Sequence, residues 1–451
     1  MAVGILEKIK AAGVVGCGGA GFPTHKKLEG SMEYLIVNGA ECEPLLRTDR
    51  YLMLFQAPRL VSAVMALRQE LGIPHCVFAV KRHYHDEIAA LRQAIQAAGA
   101  DITIHELDSF YPAGDEQTIV YEVTGRVVPP AGLPIDAGAV VDNVATIFAV
   151  ADAMGGIPFT RKYLTVTGEV RHPTILHVPV GTSFQACLEL AGGVTGGRNV
   201  LVAGGPMMGR VHPMEQLEQL VVTKTTSGIL VLPEESAPAR GAAVDLRRMV
   251  QRARSVCIQC SSCTQLCPRH LLGHPLEPHR IMRKLSMGGP DGSLLDDSDI
   301  RNAQLCCECG VCEVYACPMG LHPRKINHML KEQLAAAGIR YQRTEDAWQA
   351  SSCREERKVP SKRAAVRAGV AEYDGCEIRE LKEWEPDRVE LPVKMHIGAP
   401  AVPVVSPGDR VAAGQVIARP PEGALGAMVH ASISGRVEAV GERIVLVKSE
   451  G

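Results

Sequence analysis

The sequence predicts a multidomain α/β protein, and three observations carry that reading. Strand-like and helix-like segments alternate through the first 150 or so residues. Nine of the fifteen cysteines fall between Cys257 and Cys317, in two short cassettes. Two further stretches, 161–200 and 386–451, are strand-rich and punctuated by glycine. A chain of 451 residues that is 46% hydrophobic has room and apolar mass for about three or four such domains. We divide it into 1–155, 156–240, 245–340, a linker at 341–385, and 386–451.

The elements follow in order. A short helix leads into the glycine loop 16–24, then the apolar strand 34–37. Residues 51–71 read as one helix and 75–80 as a second strand. Tyr84, Ile88, Leu91 and Ile95 recur on one helical face, and 101–107 alternates like a strand. This βαβ rhythm implies a parallel sheet covered by helices. A Pro/Gly-rich loop at 127–138 precedes the segment 141–146. In the next module, 162–168 is a strand, 184–191 a helix ending at Gly192-Gly193, and 204–209 a tight loop. The cassettes lie 38 residues apart, which leaves room for a helix at 279–285, and 325–337 closes that domain. Residues 341–385 are charged and read as a surface linker, with 354–358 a solvated charge run. The tail reads as a small β-sandwich.

The cassettes carry the chemistry. The first is Cys257-x2-Cys260-x2-Cys263-x3-Cys267-Pro, and the second is Cys306-x2-Cys309-x2-Cys312-x4-Cys317-Pro. Three thiolates at x2 spacing wrap one corner of an iron–sulfur cube, and in two-cluster ferredoxins the fourth comes from the other cassette. One [4Fe–4S] cluster therefore takes Cys257, Cys260, Cys263 and Cys317. The other takes Cys306, Cys309, Cys312 and Cys267. Cys307 could replace Cys306 in a shifted register, but the x2-x2 count favours Cys306. Zinc sites use paired C-x2–4-C knuckles, which a third cysteine at x2 and a terminal Cys-Pro do not suit. Disulfides imply export, and the first residues lack the apolar core of a signal peptide.

The bulk numbers narrow the rest. A net charge of −2 gives no sign of a nucleic-acid partner, and no apolar run is long enough for a transmembrane segment. Reduced cysteines imply a cytoplasmic setting. Scattered histidines offer no convergent ligand set, and Cys42 and Met207-Met208 read as packing and turn residues.

The loop GCGGAGFPT is a glycine backbone able to approach a planar or phosphorylated ligand closely, yet it is neither a P-loop nor a standard GxGxxG. GCGGAGFPTHKKL, followed by VNGAECEP, YPAGDE and VDNVAT in that order, resembles the flavin- and NADH-binding segments of the complex I 51-kDa flavoprotein family. With the cassettes added, the chain resembles the Rnf complex C subunit. Its size and C-terminal sandwich resemble the cobalamin reductases of propanediol-utilisation microcompartments. The resemblance implies a Rossmann-type flavin domain, a soluble-ligand-binding β-grasp (SLBB) module, a ferredoxin-like 2[4Fe–4S] helical domain and a C-terminal barrel-sandwich hybrid. That last domain is akin to biotinyl/lipoyl domains, but it has no lysine at 425–434 to carry a covalent cofactor.

The same resemblance implies site residues. Gly16, Gly18, Gly19 and Gly21 would lie under FMN and NADH, and Phe22 would stack on NADH. Lys27 would sit near the flavin phosphate. Asn38, Glu41 and Glu43 would contact flavin and nucleotide, Tyr111, Gly114 and Glu116 would form a second flavin segment, and Asn143 and Thr146 a phosphate-side segment. The sequence departs from the family pattern at Cys17, Ala40, Asp115 and Asp142. The activity implied is transfer from NADH through FMN and two clusters to cobalamin, for corrinoid reactivation. Cob(I)alamin adenosyltransferase and a microcompartment shell protein are the implied partners, and a bacterial microcompartment is the implied location. No Asp-x-His-x-x-Gly cobalt-binding motif is present. The alternatives are an electron-input subunit of an Rnf-type membrane complex and a non-enzymatic electron carrier.

Overall fold

The computed structural model describes residues 3–288, 294–344 and 347–448. Its first sheet holds four parallel strands in the order Thr103–Leu107, His75–Lys81, Tyr34–Gly39, Ala139–Asn143. Leu35, Ile36 and Val37 are fully buried, as expected for a parallel strand covered on both faces. The chain steps outward from the central strand twice on one side, then returns to its other side. This creates a switch point between Tyr34–Gly39 and Ala139–Asn143, the place where open α/β sheets bind ligands.

Helices cover the sheet. Ala57–Leu71 buries Leu60, Val61, Val64 and Leu67 along one stripe and ends at a left-handed Gly72. The expected single helix over 51–71 is two, Thr48–Phe55 and Ala57–Leu71, broken at Gln56. Pro58 is the cause: it lacks an N–H and sits where only a new first turn tolerates it. Val144–Met154 is buried along most of its length. It is capped by Asn143, whose side-chain oxygen accepts the Ala145 N–H at 2.9 Å.

The second sheet has six strands. Arg161–Gly168 lies between antiparallel Thr174–Pro179 and parallel Gly228–Pro233, with Asn199–Ala203 and Arg210–Pro213 beyond. Helix Phe184–Leu190 packs on it, giving a β-grasp arrangement. Its outermost strand, Leu381–Glu383, arrives from far along the chain.

Helices Leu246–Val256, Pro278–Gly288 and Pro323–Ala336 build the cassette domain around Met249, Ile281, Leu285, Ile326 and Leu330. The C-terminal domain is two small sheets facing each other over Val389, Ile417, Val437 and Ile444. The flavin-domain-like sheet, the β-grasp, the helical cassette domain and the terminal sandwich make this a multidomain α/β fold.

Residues 341–385 are expected as a linker on the surface; of these, 347–385 form a structured strap. Val359-Pro360 pairs with Phe110-Tyr111 of the first domain, and Ser361–Ala368 buries Ala364, Ala365 and Ala368. Arg354, expected to be solvated, is 5% exposed. It is covered by the Tyr121 ring, 4.7 Å from its guanidinium, and ion-pairs with Glu122. Glu355, at 2.8 Å, is its local partner, but Tyr121 and Glu122, which bury it, lie more than two hundred residues earlier, beyond the reach of the local charge pattern.

Candidate redox site

The glycine loop closes on itself before the first strand. Gly16 N–H donates to the Phe22 carbonyl at 2.9 Å, and Val15 bridges Pro23. Gly21 takes φ +76°, and a side chain there would collide with Thr225 and with the Met395 carbonyl. The terminal sandwich therefore rests directly on this loop, and the Ile397 N–H donates to the Gly21 carbonyl at 3.2 Å. Gly19 faces open space, and a Cβ added at Gly18 would come within 3.1 Å of the Asn143 side chain. The loop thus presents bare backbone at the switch point of the sheet.

Several residues singled out in the sequence converge there. Asn38 donates to the Gly114 carbonyl at 2.9 Å, which joins the end of the central strand to the segment before helix Glu116–Thr124. Asn143 donates to Asp49 at 2.6 Å, and Thr146 accepts the Cys17 N–H at 2.9 Å. Lys27 lies 2.5 Å from Glu116 and 3.6 Å from Asp142. Burial opposes the Lys27 charge, but Asp142 and Glu116 outweigh it and raise its pKa, so the ammonium persists. Burial pushes Asp142 up to about 6, and one of its oxygens has no hydrogen-bond partner. Phe22 is 37% exposed at the mouth. The backbone cradle and the cation suit a phosphorylated planar group, and the orphaned carboxylate oxygen can accept from a ring N–H or a hydroxyl of such a group.

Three of the predicted side chains, Glu41, Glu43 and Tyr111, lie elsewhere. Glu41 turns inward and caps helix Thr48–Phe55 by accepting the Asp49 N–H at 2.9 Å. Glu43 is enclosed at the junction of three domains: it accepts the Met207 N–H at 2.9 Å and the Tyr111 hydroxyl at 3.3 Å. A side chain at Gly205 would overlap Glu43, so glycine is required there for contact. Burial pushes Glu43 up to about 7. Cys42 accepts the Gly114 N–H at 2.9 Å, and burial pushes its thiol up to about 11, which fits a packed, unreactive cysteine.

The cassettes adopt one shared backbone pattern. Gln259 and Ser261 flank Cys260 with φ of 54° and 59°. Glu308 and Gly310 flank Cys309 with φ of 58° and 79°. Left-handed residues on both sides of the middle cysteine turn the neighbouring thiols to one side. In this correspondence Cys306 holds the place of Cys257, and Cys307 that of Ile258. The extra residue of the x4 spacing is absorbed by a π-helical turn at Val311–Ala316.

The thiols gather across cassettes as well as within them. Burial and the neighbouring Cys317, Cys260 and Cys257 push Cys263 up to about 12. Burial, then Cys307 and Cys306, raise Cys267. Cys312 is raised by burial and by Glu313, with Cys306, Cys267 and Cys263 adding to it. Cys267, Cys306, Cys307, Cys309 and Cys312 line one mostly apolar cavity. All fifteen cysteines are free thiols, so the donor chemistry suits iron–sulfur cubes.

The two halves of the site touch. The Tyr111 hydroxyl donates to the Cys309 carbonyl at 2.7 Å. Arg269, directly after Cys267-Pro268, grips Asp115 with two bonds of 2.6 and 2.9 Å. Sequence reasoning missed Arg269, Arg324 and Asp49. Arg324 ties Glu313 to the Met207 carbonyl, at 2.6 and 2.8 Å. The family departure at Asp115 now has a structural role, since the carboxylate both caps its helix through Thr118 and holds Arg269.

Comparison with known proteins agrees with this layout. The Nuo51 FMN-binding domain matches residues 9–152, the SLBB domain 163–211, the 4Fe-4S dicluster domain 256–322, and the RnfC barrel sandwich hybrid domain 374–450. Cobalamin reductase PduS of Salmonella typhimurium is 42% identical over 98% of this chain and 96% of its own length. Cobalamin reductase PduS of Citrobacter freundii is 41% identical over the same shares. The C component of the Na(+)-translocating ferredoxin:NAD(+) oxidoreductase complex of Acetobacterium woodii is 36% identical, over 59% of this chain and 58% of its own length. Among the described residues no helix is long and apolar enough to cross a membrane. With flavin-binding and iron–sulfur domains in one chain, and similarity along nearly its whole length, the protein belongs to the PduS family of flavo-iron–sulfur oxidoreductases.

Proposed function

We propose that the chain is an NADH-dependent reductase that passes electrons through FMN and two [4Fe–4S] clusters to cobalamin, as part of corrinoid reactivation. The observation that carries this reading is the pair of contacts Tyr111–Cys309 and Asp115–Arg269, which put the proposed flavin segment against the second cassette and against the end of the first, beside Cys267. FMN, when bound, can take a two-electron hydride and release electrons singly to one-electron clusters. The chain's own residues hold the parts. Gly16, Gly18, Gly19 and Gly21 supply bare backbone, and Phe22 a ring at the mouth for the nicotinamide side. Lys27 supplies a fixed cation. Asn38, Gly114, Glu116, Asn143 and Thr146 shape the walls, while Glu41, Glu43 and Tyr111 act from behind them.

In this reading Cys257, Cys260, Cys263 and Cys317 hold one cluster, and Cys306, Cys309, Cys312 and Cys267 the other. The matching φ pattern supports Cys306 over Cys307. Cobalamin as acceptor, cob(I)alamin adenosyltransferase and a shell protein as partners, and a microcompartment location all rest on likeness to the PduS relatives. That likeness spans 98% of the chain, against 59% for the Rnf-type relative, which favours this setting over a membrane complex.

An anaerobic NADH titration followed by visible absorbance and EPR tests the path, with cob(III)alamin added last. Flavin bleaching, cubane signals and then a cob(II)alamin signal are expected. Reduction of flavin and clusters without cobalt reduction moves the acceptor elsewhere. No reduction by NADH overturns the nicotinamide step.

A further inference from the structure

The first cassette opens to solvent beside a face of arginines that the proposed path does not use. Helix Leu246–Val256 runs directly into Cys257, whose N–H donates to the Ala253 carbonyl at 3.1 Å. Met249, Val250 and Ala253 are buried in the cassette domain, so the helix spends its apolar face at home. Its outer face carries Arg247, Arg248, Arg252 and Arg254, all exposed. Among the described residues no carboxylate side chain pairs with any of the four; Arg252 reaches only the Met319 carbonyl, at 3.2 Å. Cys260 is exposed, and next to it Ile258 is 61% exposed.

Some arginines on this surface are answered by acids, as in Arg126–Glu33, Arg301–Asp296 and Arg379–Asp86, and others, such as Arg363 and Arg367 of the strap, are not among the described residues; what sets these four apart is the exposed cassette their helix leads into. Four exposed guanidiniums without acidic partners, on the helix that leads into an exposed apolar residue and an exposed cluster ligand, have the anatomy of a transient electrostatic interface. Charge steers the encounter, and a small apolar centre seats it. A lipid surface does not fit, because a membrane-lying helix needs a free apolar face and this one is buried.

We propose that this face docks an acidic one-electron redox protein, which takes electrons from the cluster held by the first cassette. The proposal rests on the electron path above. In each encounter one electron leaves the cluster and the partner is reduced by one; no bond forms and no proton moves. The second cassette, walled in by three domains, would be the entry side.

The test measures binding of the full chain to a flavodoxin, an acidic one-electron carrier, by surface plasmon resonance. It needs neither NADH nor cobalamin, so it stands or falls apart from the NADH titration. Binding is expected at low salt and is expected to vanish near 1 M salt, where the screening length falls to about 3 Å. R252E/R254E should weaken it by about tenfold or more, and R252Q/R254Q by less. R363E/R367E makes the same charge change on exposed strap residues and should leave binding intact. Iron content of each variant reports folding. Binding that survives high salt, equal losses at both sites, or no binding at all overturns the proposal. So does patch-dependent binding to anionic phosphatidylserine vesicles in place of flavodoxin.

Discussion

The two cassettes share one backbone pattern but occupy opposite environments. Cys260 of the first is exposed, while Cys309 and Cys312 of the second are each only 8% exposed. The first borders an arginine face; the second is enclosed by Tyr111 of the flavin-like domain, Met207 of the β-grasp, and the strap helix Ser361–Ala368. The difference shows how one ligand arrangement yields two roles. Local sequence sets how thiols converge, and the surrounding domains decide which cassette faces the flavin-like domain and which faces solvent.

Removing one ligand from each cassette should expose that contrast most strongly. Cys309→Ala should lose the iron of one cluster and also loosen the three-domain junction, seen as a lowered unfolding midpoint and easier proteolysis at the strap. Cys260→Ala should cost or convert one cluster while leaving the unfolding midpoint and flavin content near those of the parent. Equal destabilisation by both would erase the distinction.

The Asp115–Arg269 clamp is the next largest effect. Both side chains are nearly buried, at 13% and 10% exposed. Asp115→Asn leaves Arg269 charged without its partner, which costs about 3–5 kcal/mol. Chemical unfolding followed by far-UV circular dichroism should register this, with iron content held. A change under about 1 kcal/mol would mean that solvent already screens the pair.

These contrasts mark what was legible in the sequence. The cassettes could be read because their ligands are local, and the parallel sheet because its strands are continuous apolar runs. The YPAGDE segment and the first cassette are both visible in the sequence, but not their contact, since Asp115 and Arg269 are 154 residues apart. Glu43 was placed near nucleotide by its motif; the structure turns it toward Met207, a contact that depends on the missing side chain at Gly205. Arg354 looked solvated because charge runs usually are, and nothing nearby in sequence foretells the Tyr121 ring that covers it. Tertiary partners, more than propensity, account for these differences.

Glu43 sharpens the comparison through pH. Burial pushes its pKa up to about 7, above the ordinary 4.5. Below pH 4.5 the carboxyl is neutral whether folded or not, and it carries no penalty. As pH rises toward 7 the unfolded chain releases this proton while the folded chain retains it, so stability falls across that window and then levels off. Glu43→Gln removes the loss. Its stability relative to the parent should grow by about 3 kcal/mol between those limits, read from unfolding midpoints at several pH values. A difference that does not change with pH would show that Glu43 is hydrated at the junction.

The smallest effect is the most local. Tyr111 is 2% exposed, and its hydroxyl spans from the Cys309 carbonyl to Glu43. Tyr111→Phe preserves the ring packing and deletes only these bonds, a loss of about 1 kcal/mol for the neutral pair. Iron content should stay at the parental level, because the carbonyl, and not the thiol, loses its donor. The variant thus separates two ways in which the buried cassette differs from the exposed one. If only stability falls slightly, the surrounding domains enclose a cassette whose shape is set by its own left-handed turns at Glu308 and Gly310. If iron is lost as well, the flavin-like domain helps to shape the cassette, and the likeness between the two cassettes holds only while the domains are docked.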